Sequence, residues 1–168
     1  MAMRDILFRG KTKDGKWVVG SHFCLQHNDE RTHVHHFIIP DGTPIPKDRP
    51  IGDIQVEVDE DSLGQFVGLH YKDGNPVFEG DIVRGRDVMD KHDIYLVCEY
   101  GVIERRVVTK GQWENTEVID LVTIPCFYFR NPRTGECLFP CRDNEHEFMF
   151  DHAGNKYDDP ELIRVIED

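Results

Sequence analysis

The chain has 168 residues, 39% hydrophobic and 31% charged, and thirty-two Asp and Glu against twenty Lys and Arg leave a net charge of −12. That length supports one ordinary domain or two small ones, each with a buried core. No apolar stretch approaches the roughly 18 residues needed to span a bilayer. The acidic balance repels a phosphate backbone, so the expectation is no membrane insertion and no strong nucleic-acid binding.

In chain order, Met1 to Gly10 lacks the basic region, apolar core and cleavage site of a secretory leader. The five cysteines (Cys24, Cys98, Cys126, Cys137, Cys141) form an odd, uneven set in a chain too large to need stapling. Both features point to reduced thiols and a cytoplasmic location.

Alternating apolar and polar residues predict strands over most of the chain. The segments are Ile6 to Arg9, Trp17 to Leu25, Val34 to Ile39, Ile54 to Val58, Gln65 to His70, Val77 to Glu79, Ile82 to Arg84, Ile94 to Tyr100, Ile103 to Val108, Val118 to Phe129, Glu136 to Phe139 and Glu147 to Phe150. Turns are expected at Asp14-Gly15, Asp73-Gly74, Tyr100-Gly101 and Asn131 to Gly135. The run from Pro40 to Pro50 carries four of the nine prolines, so it must be loop or sheet edge. A polar break from Glu57 to Ser62 divides the chain into residues 1–60, a small N-terminal β unit, and residues 61–168, a β-barrel domain. At the end, Asp159 is expected to cap a short helix with Pro160 at its first position and Leu162, Ile163 and Ile166 facing inward. From Asp143 to Asp168 nine acids stand against Lys156 and Arg164, an acidic face in which Asp158, Glu167 and Asp168 are expected to be exposed and individually of small value.

Within the second part, Asp73-Gly74 favours a tight hairpin, and Gly80 permits a positive φ or a close backbone approach. Asp81 can accept hydrogen bonds from the turn that launches Ile82 and Val83 into the core. Gly64 and Gly68 lie in a strand and suggest a bulge or barrel corner. Phe66, Tyr71 and Phe78 are the candidates for a ligand or peptide groove.

Two clusters invite a metal. Cys126, Cys137, Cys141 and His146 offer three thiolates and an imidazole, but the Cys137 to Cys141 spacing is wider than a zinc knuckle. His33, His35 and His36, with His22 or His27 across a hairpin and Asp29 and Glu30 nearby, form the second. On a strand His33 and His35 share a face and His36 points away. Neither pattern has convincing ligand spacing, so no metal and no cofactor are expected. No Gly-x-Ser-x-Gly elbow, phosphate-cradling loop or paired carboxylate on one face supports catalysis, and the chain is read as a non-enzyme. A local basic patch, Arg105, Arg106, Lys110, Arg130, Arg133 and Arg142 near Trp113 and Tyr128, balances the acidic end.

The run Asp61-Ser62-Leu63-Gly64-Gln65-Phe66-Val67-Gly68-Leu69-His70-Tyr71-Lys72-Asp73-Gly74-Asn75-Pro76-Val77-Phe78-Glu79-Gly80-Asp81-Ile82-Val83-Arg84 resembles the YopX family of phage and prophage proteins. Arg4 to Lys11 with Gly15 to Gly20, and Gly154-Asn155 with Tyr157 to Leu162, agree in the same order along the chain. Asp159 stands where the family motif usually has Asn, and the resemblance does not extend over Asp87 to Glu147. It implies an SH3-like β barrel and a place in a host bacterial cytoplasm, without an assigned activity. The resulting expectation is an all-β, mostly antiparallel protein with a short C-terminal helix, acting as a non-enzymatic module for an unidentified phage or host protein partner. The alternative is a zinc-binding protein using one of the two clusters.

Overall fold

In the computed structural model, residues 6–26, 34–45, 47–48, 50–86, 92–110, 117–139 and 150–167 are described. The described strands form two antiparallel sheets. The first has six strands: β1 (Phe8–Lys11), β2 (Trp17–Gln26), β3 (Val34–Pro40), β4 (Val56–Val58), β5 (Gly64–His70) and β6 (Pro76–Phe78), in the order β4-β3-β2-β1-β5-β6. The second has five: β7 (Asp81–Arg86), β8 (Asp93–Lys110), β9 (Glu117–Arg130), β10 (Cys137–Leu138) and β11 (Asp151–Asn155), in the order β10-β9-β8-β7-β11. One α-helix, α1 (Pro160–Glu167), ends the described chain. A mostly antiparallel β protein with a short C-terminal helix is therefore what the sequence builds, and both sheets are open. Among the described residues no helix is long and apolar enough to cross a membrane.

The first sheet bridges the two sequence units. β1 pairs with β2 on one side and, through Phe8↔Gln65 and Arg9↔Gly64, with β5 on the other. The boundary expected after residue 60 thus falls between β4 and β5, two strands of the same sheet. The β5–β6 hairpin then packs onto the second sheet, where Leu69, Tyr71 and Val77 join Val83, Leu96, Cys98 and Phe129 in one buried cluster. Fully burying an aliphatic or aromatic side chain contributes about 1.5–3 kcal/mol, so this cluster ties the hairpin to the sheet behind it.

Local turn chemistry explains the hairpin. Gly74 has φ +86°, and the Asp73 carboxylate accepts from the Asn75 backbone N–H at 3.0 Å and its amide at 2.8 Å. The strand register shifts between Phe66 and His70, around Gly68 at φ +86°. Gly64 serves close approach instead: a Cβ there would lie 2.4 Å from the Glu79 carbonyl oxygen.

Two expectations are corrected. The turn expected at Tyr100-Gly101 is absent, and β8 runs through it without a break. Tyr128 on β9 lies over Gly101, 3.2 Å from where a Cβ would stand, so a neighbouring ring fills the space the glycine leaves. The strand expected over Glu147 to Phe150 is not found at Phe150, residues 147–149 lying outside the described set, and β11 follows at Asp151–Asn155. Its sequence lacks β-branched and aromatic residues, so pairing with β7 overrides weak local propensity. Asp159 stands at the expected cap position, directly before Pro160: its backbone carbonyl receives the Leu162 N–H, and its carboxylate reaches back to the Asn155 N–H at 3.0 Å.

Candidate functional site

The site grows from one buried charge. Asp81 opens β7 directly after Gly80, whose φ of +85° turns the chain out of the hairpin. Its side chain is 1% exposed, and Oδ2 accepts from the Phe78 N–H and the Tyr71 hydroxyl, each at 2.9 Å. Arg9 comes from β1 in the other sheet and places its guanidinium 2.5 Å from Oδ1. That guanidinium lies between the rings of Trp17 (4.9 Å) and Phe78 (5.1 Å) and donates to the Glu79 carbonyl at 3.3 Å. Stacking on two aromatic faces is a geometry that suits Arg better than Lys. Burial, followed by the Asp81 charge, pushes the Tyr71 phenol well up, so it stays a protonated donor. Burial likewise raises the Cys98 thiol and keeps it neutral.

A second node lies beside it. Asp158 accepts from Trp17 Nε1 at 2.7 Å and from the Asn155 amide at 2.9 Å, and it pairs with Lys11. These donors, with Asn155 foremost, hold its carboxyl down at about 2. Asn155 in turn accepts from the backbone N–H groups of Tyr157 and Asp158 at 3.0 and 2.9 Å. Asp158 is exposed, as expected, and its contacts join β11, β1 and β2.

Between these nodes lies a cleft of about 380 Å³. Trp17, Val19, Pro76 and Phe78 give it apolar walls, Arg9 and Asp81 its inner end, and Asp73, His152, Asn155 and Asp158 also line it. The volume falls in the range of small-ligand and side-chain pockets. The His152 imidazole stands 3.9 Å from Asp81 Oδ1 and edge-on to Tyr71, ring centroids 5.3 Å apart. With Arg9 paired to Asp81 and Lys11 to Asp158, the Asp73 carboxylate is the charge left to favour a positively charged occupant.

The structure sorts the expected groove residues. Phe66, Tyr71 and Phe78 are all buried, so the three rings form no exposed groove. Tyr71 and Phe78 reach the cleft wall, whereas Phe66 packs under Phe78 and beside His70, with ring centroids 6.0 and 5.1 Å away. Arg9, Trp17 and Asp158 were missed as site residues. The sequence signal for them was only their place in the two flanking segments that resemble the YopX pattern.

Of the metal clusters, Cys141, His146, His27, His33, Asp29 and Glu30 lie outside the described residues. Cys137 pairs with Arg130, four positions along β9 from Cys126, a separation of about 13 Å at ~3.3 Å per residue. The two thiols therefore do not converge. His22 meets His36, not His35, with Nε2 and Nδ1 3.0 Å apart. His35 faces the other way and pairs with Glu57 at 2.9 Å. Among the described residues no three His, Cys, Asp or Glu side chains gather as metal ligands. In the basic patch, Arg130 is bound by Glu99 through contacts of 2.8–3.1 Å. Compared with protein-family models and with curated proteins, the chain matches none.

Proposed function

We propose that this protein is a non-enzymatic binding module of the YopX type, whose cleft between β1, β2 and the β5–β6 hairpin receives a basic side chain of a phage or host protein. The observation that carries this reading is the pairing of apolar walls with the Asp73 carboxylate in one cleft, on a chain whose net charge is −12. Coulomb attraction steers a cationic segment to such a surface, and the walls bind its aliphatic stem. The family reading is supported by the order of the resembling segments, because all three of them contribute residues to the cleft: Arg9 and Trp17, Tyr71 to Asp81, and Asn155 with Asp158. An SH3-like arrangement is supported by the way the β5–β6 hairpin packs across β7, β8 and β9.

The non-enzymatic reading rests on how the titratable groups are used. Tyr71 is held protonated, Cys98 is buried and neutral, and Asp81 is tied to Arg9, Tyr71 and the Phe78 N–H. Each of these three groups is committed to holding the cleft together, which argues against its service as a nucleophile or base. The test is a titration of short peptides followed by Trp17 fluorescence in a Trp113→Phe background. An arginine-containing peptide should bind, its citrulline counterpart should bind at least about tenfold more weakly, and binding should weaken with salt. Equal binding of the two peptides, or binding of neither, would overturn the proposal.

A further inference from the structure

A backbone irregularity places His152 at the cleft. It stands opposite Val83 in the β11–β7 ladder, and the register shifts between His152 and Gly154, as it does where a bulge re-aims a side chain at a sheet edge. The imidazole lines the cleft and is 46% exposed, with Nε2 3.9 Å from Asp81 Oδ1 and the ring edge-on to Tyr71. Arg9 faces that same oxygen as an ion pair, yet among the described residues no donor is aligned on Oδ1 for a hydrogen bond. A protonated imidazole can therefore donate to Oδ1 after an approach of about 1 Å. Across the cleft mouth is Asp73, whose carboxyl is held low first by its hydrogen bonds from Asn75 and, least, by the charge of His152. On the strand beside His152, Arg84 lies 4.0 Å from Asp151.

We propose that His152 makes occupancy of this cleft depend on pH: the neutral imidazole leaves the Asp73 carboxylate to a cationic side chain, and the protonated imidazole takes that charge for itself and excludes the occupant. The inference rests on the cationic reading of the cleft and adds its regulation. In a cleft of about 380 Å³ the imidazolium and a bound guanidinium stand within roughly one Debye length (~8 Å at physiological salt), so salt does not hide one from the other. Binding of the cation and binding of the proton to His152 therefore oppose each other, and by linkage each weakens the other equally. The other lining groups do not supply this response. Asp73 and Asp158 are held below the ordinary carboxylate range and the Tyr71 phenol is pushed above its own, which leaves the imidazole as the lining group of a type that gains its charge between pH 8 and pH 5.

The test is the dissociation constant of an arginine-containing peptide, capped at both ends and free of other titratable groups, at pH 8 and pH 5.5. It is read by Trp17 fluorescence in the Trp113→Phe background, with His152 present and with His152→Gln. With His152 the constant should rise at least about fivefold at pH 5.5, the low end of coupling between two sites. In His152→Gln the ratio of the two constants should shrink to within about twofold, because an amide carries no charge at either pH. His22 and the remaining histidines are common to both chains, so the ratio isolates His152. Proton NMR of the chain that keeps His152 gives a readout independent of how the variant folds: saturating peptide should move the midpoint of the His152 ring titration to lower pH. Failure of the peptide to bind at pH 8 would overturn the cationic reading and this inference with it. Binding at pH 8 with an unchanged constant at pH 5.5, an equal ratio in His152→Gln, or an unmoved His152 midpoint would overturn the inference alone.

Discussion

Arg9 on β1 and Asp81 on β7 form an ion pair of 2.5 Å that joins the two sheets, with side chains 11% and 1% exposed. Removing one partner from a buried pair leaves an uncompensated charge, which costs about 3–5 kcal/mol. Arg9→Met should therefore lower the unfolding free energy by roughly that amount. Adding Asp81→Asn should restore part of the loss, with a coupling of about 1–3 kcal/mol, because the orphaned charge disappears. Urea unfolding of the two single variants and the double variant measures this coupling. Strictly additive losses would mean that the pair does not act as a unit.

Gly80 separates backbone requirement from surface chemistry. Its φ of +85° is strained for any L side chain, and a Cβ there would stand 2.6 Å from Cε2 of Tyr157. Gly80→Val should cost several kcal/mol, on the order of 3 or more, through both strain and displacement of Tyr157. Asn75→Ala removes one exposed amide contact to Asp73 and should cost about 1 kcal/mol or less. The reading is checked by comparing melting temperatures, and equal values would refute it.

How legible these features were depended on distance along the chain. The Asp73-Gly74 hairpin, the Gly80 turn and the launching of β7 by Asp81 all use contacts within a few residues, and residue type alone indicated them. Arg9 with Asp81 and Trp17 with Asp158 pair over long stretches of chain, the second over 141 positions, and no local pattern marks such partners. Gly101 was misread because glycine marks both turns and strand positions over which a neighbouring ring lies. β11 was missed because Asp-His-Ala-Gly-Asn has no strand propensity of its own and is held by β7. The His22–His36 contact follows from the pairing of β2 with β3, which a histidine count cannot supply.

His22 gives the protein a pH dependence near neutrality. Burial first, then the neighbouring His36, lower its affinity for a proton below the ordinary 6.5. The unfolded chain therefore binds more protons in the interval between the folded pKa and 6.5. The stability tied to neutral His22 is complete above pH 6.5 and is lost as pH falls through the folded value. Glu60, 3.7 Å from His36, opposes the loss, and the Phe8 ring packs on His22. Chemical unfolding at pH 8 and pH 5.5 should show a decrease that His22→Gln diminishes. An unchanged slope in that variant would assign the effect elsewhere.

The C-terminal segment combines an apolar attachment with one working carboxylate. Leu162 and Ile166 of α1 stand with Ile94 and Tyr95 around a small cavity, which places the helix beside the start of β8. An eight-residue helix is marginal alone, and the half-buried Leu162, Ile163 and Ile166 are the apolar side by which it can attach. Deleting residues 161–168 should lower the melting temperature clearly. Neutralising Glu161, on the exposed side, should change stability by less than about 0.5 kcal/mol. Asp158→Asn should behave differently, because it weakens the contacts to Lys11, Trp17 and Asn155. Its carboxyl lies at about 2 in the folded chain against 3.8 ordinarily. The stability it contributes is present above pH 3.8 and disappears as pH falls toward 2. Because the side chain is 35% exposed, solvent screening reduces that contribution to roughly 1 kcal/mol. Unfolding of the Asp158→Asn variant should thus differ from the parent at pH 7 and converge with it near pH 2. A difference that persists at pH 2 would show that the loss comes from altered packing of Trp17 rather than from the carboxylate's charge.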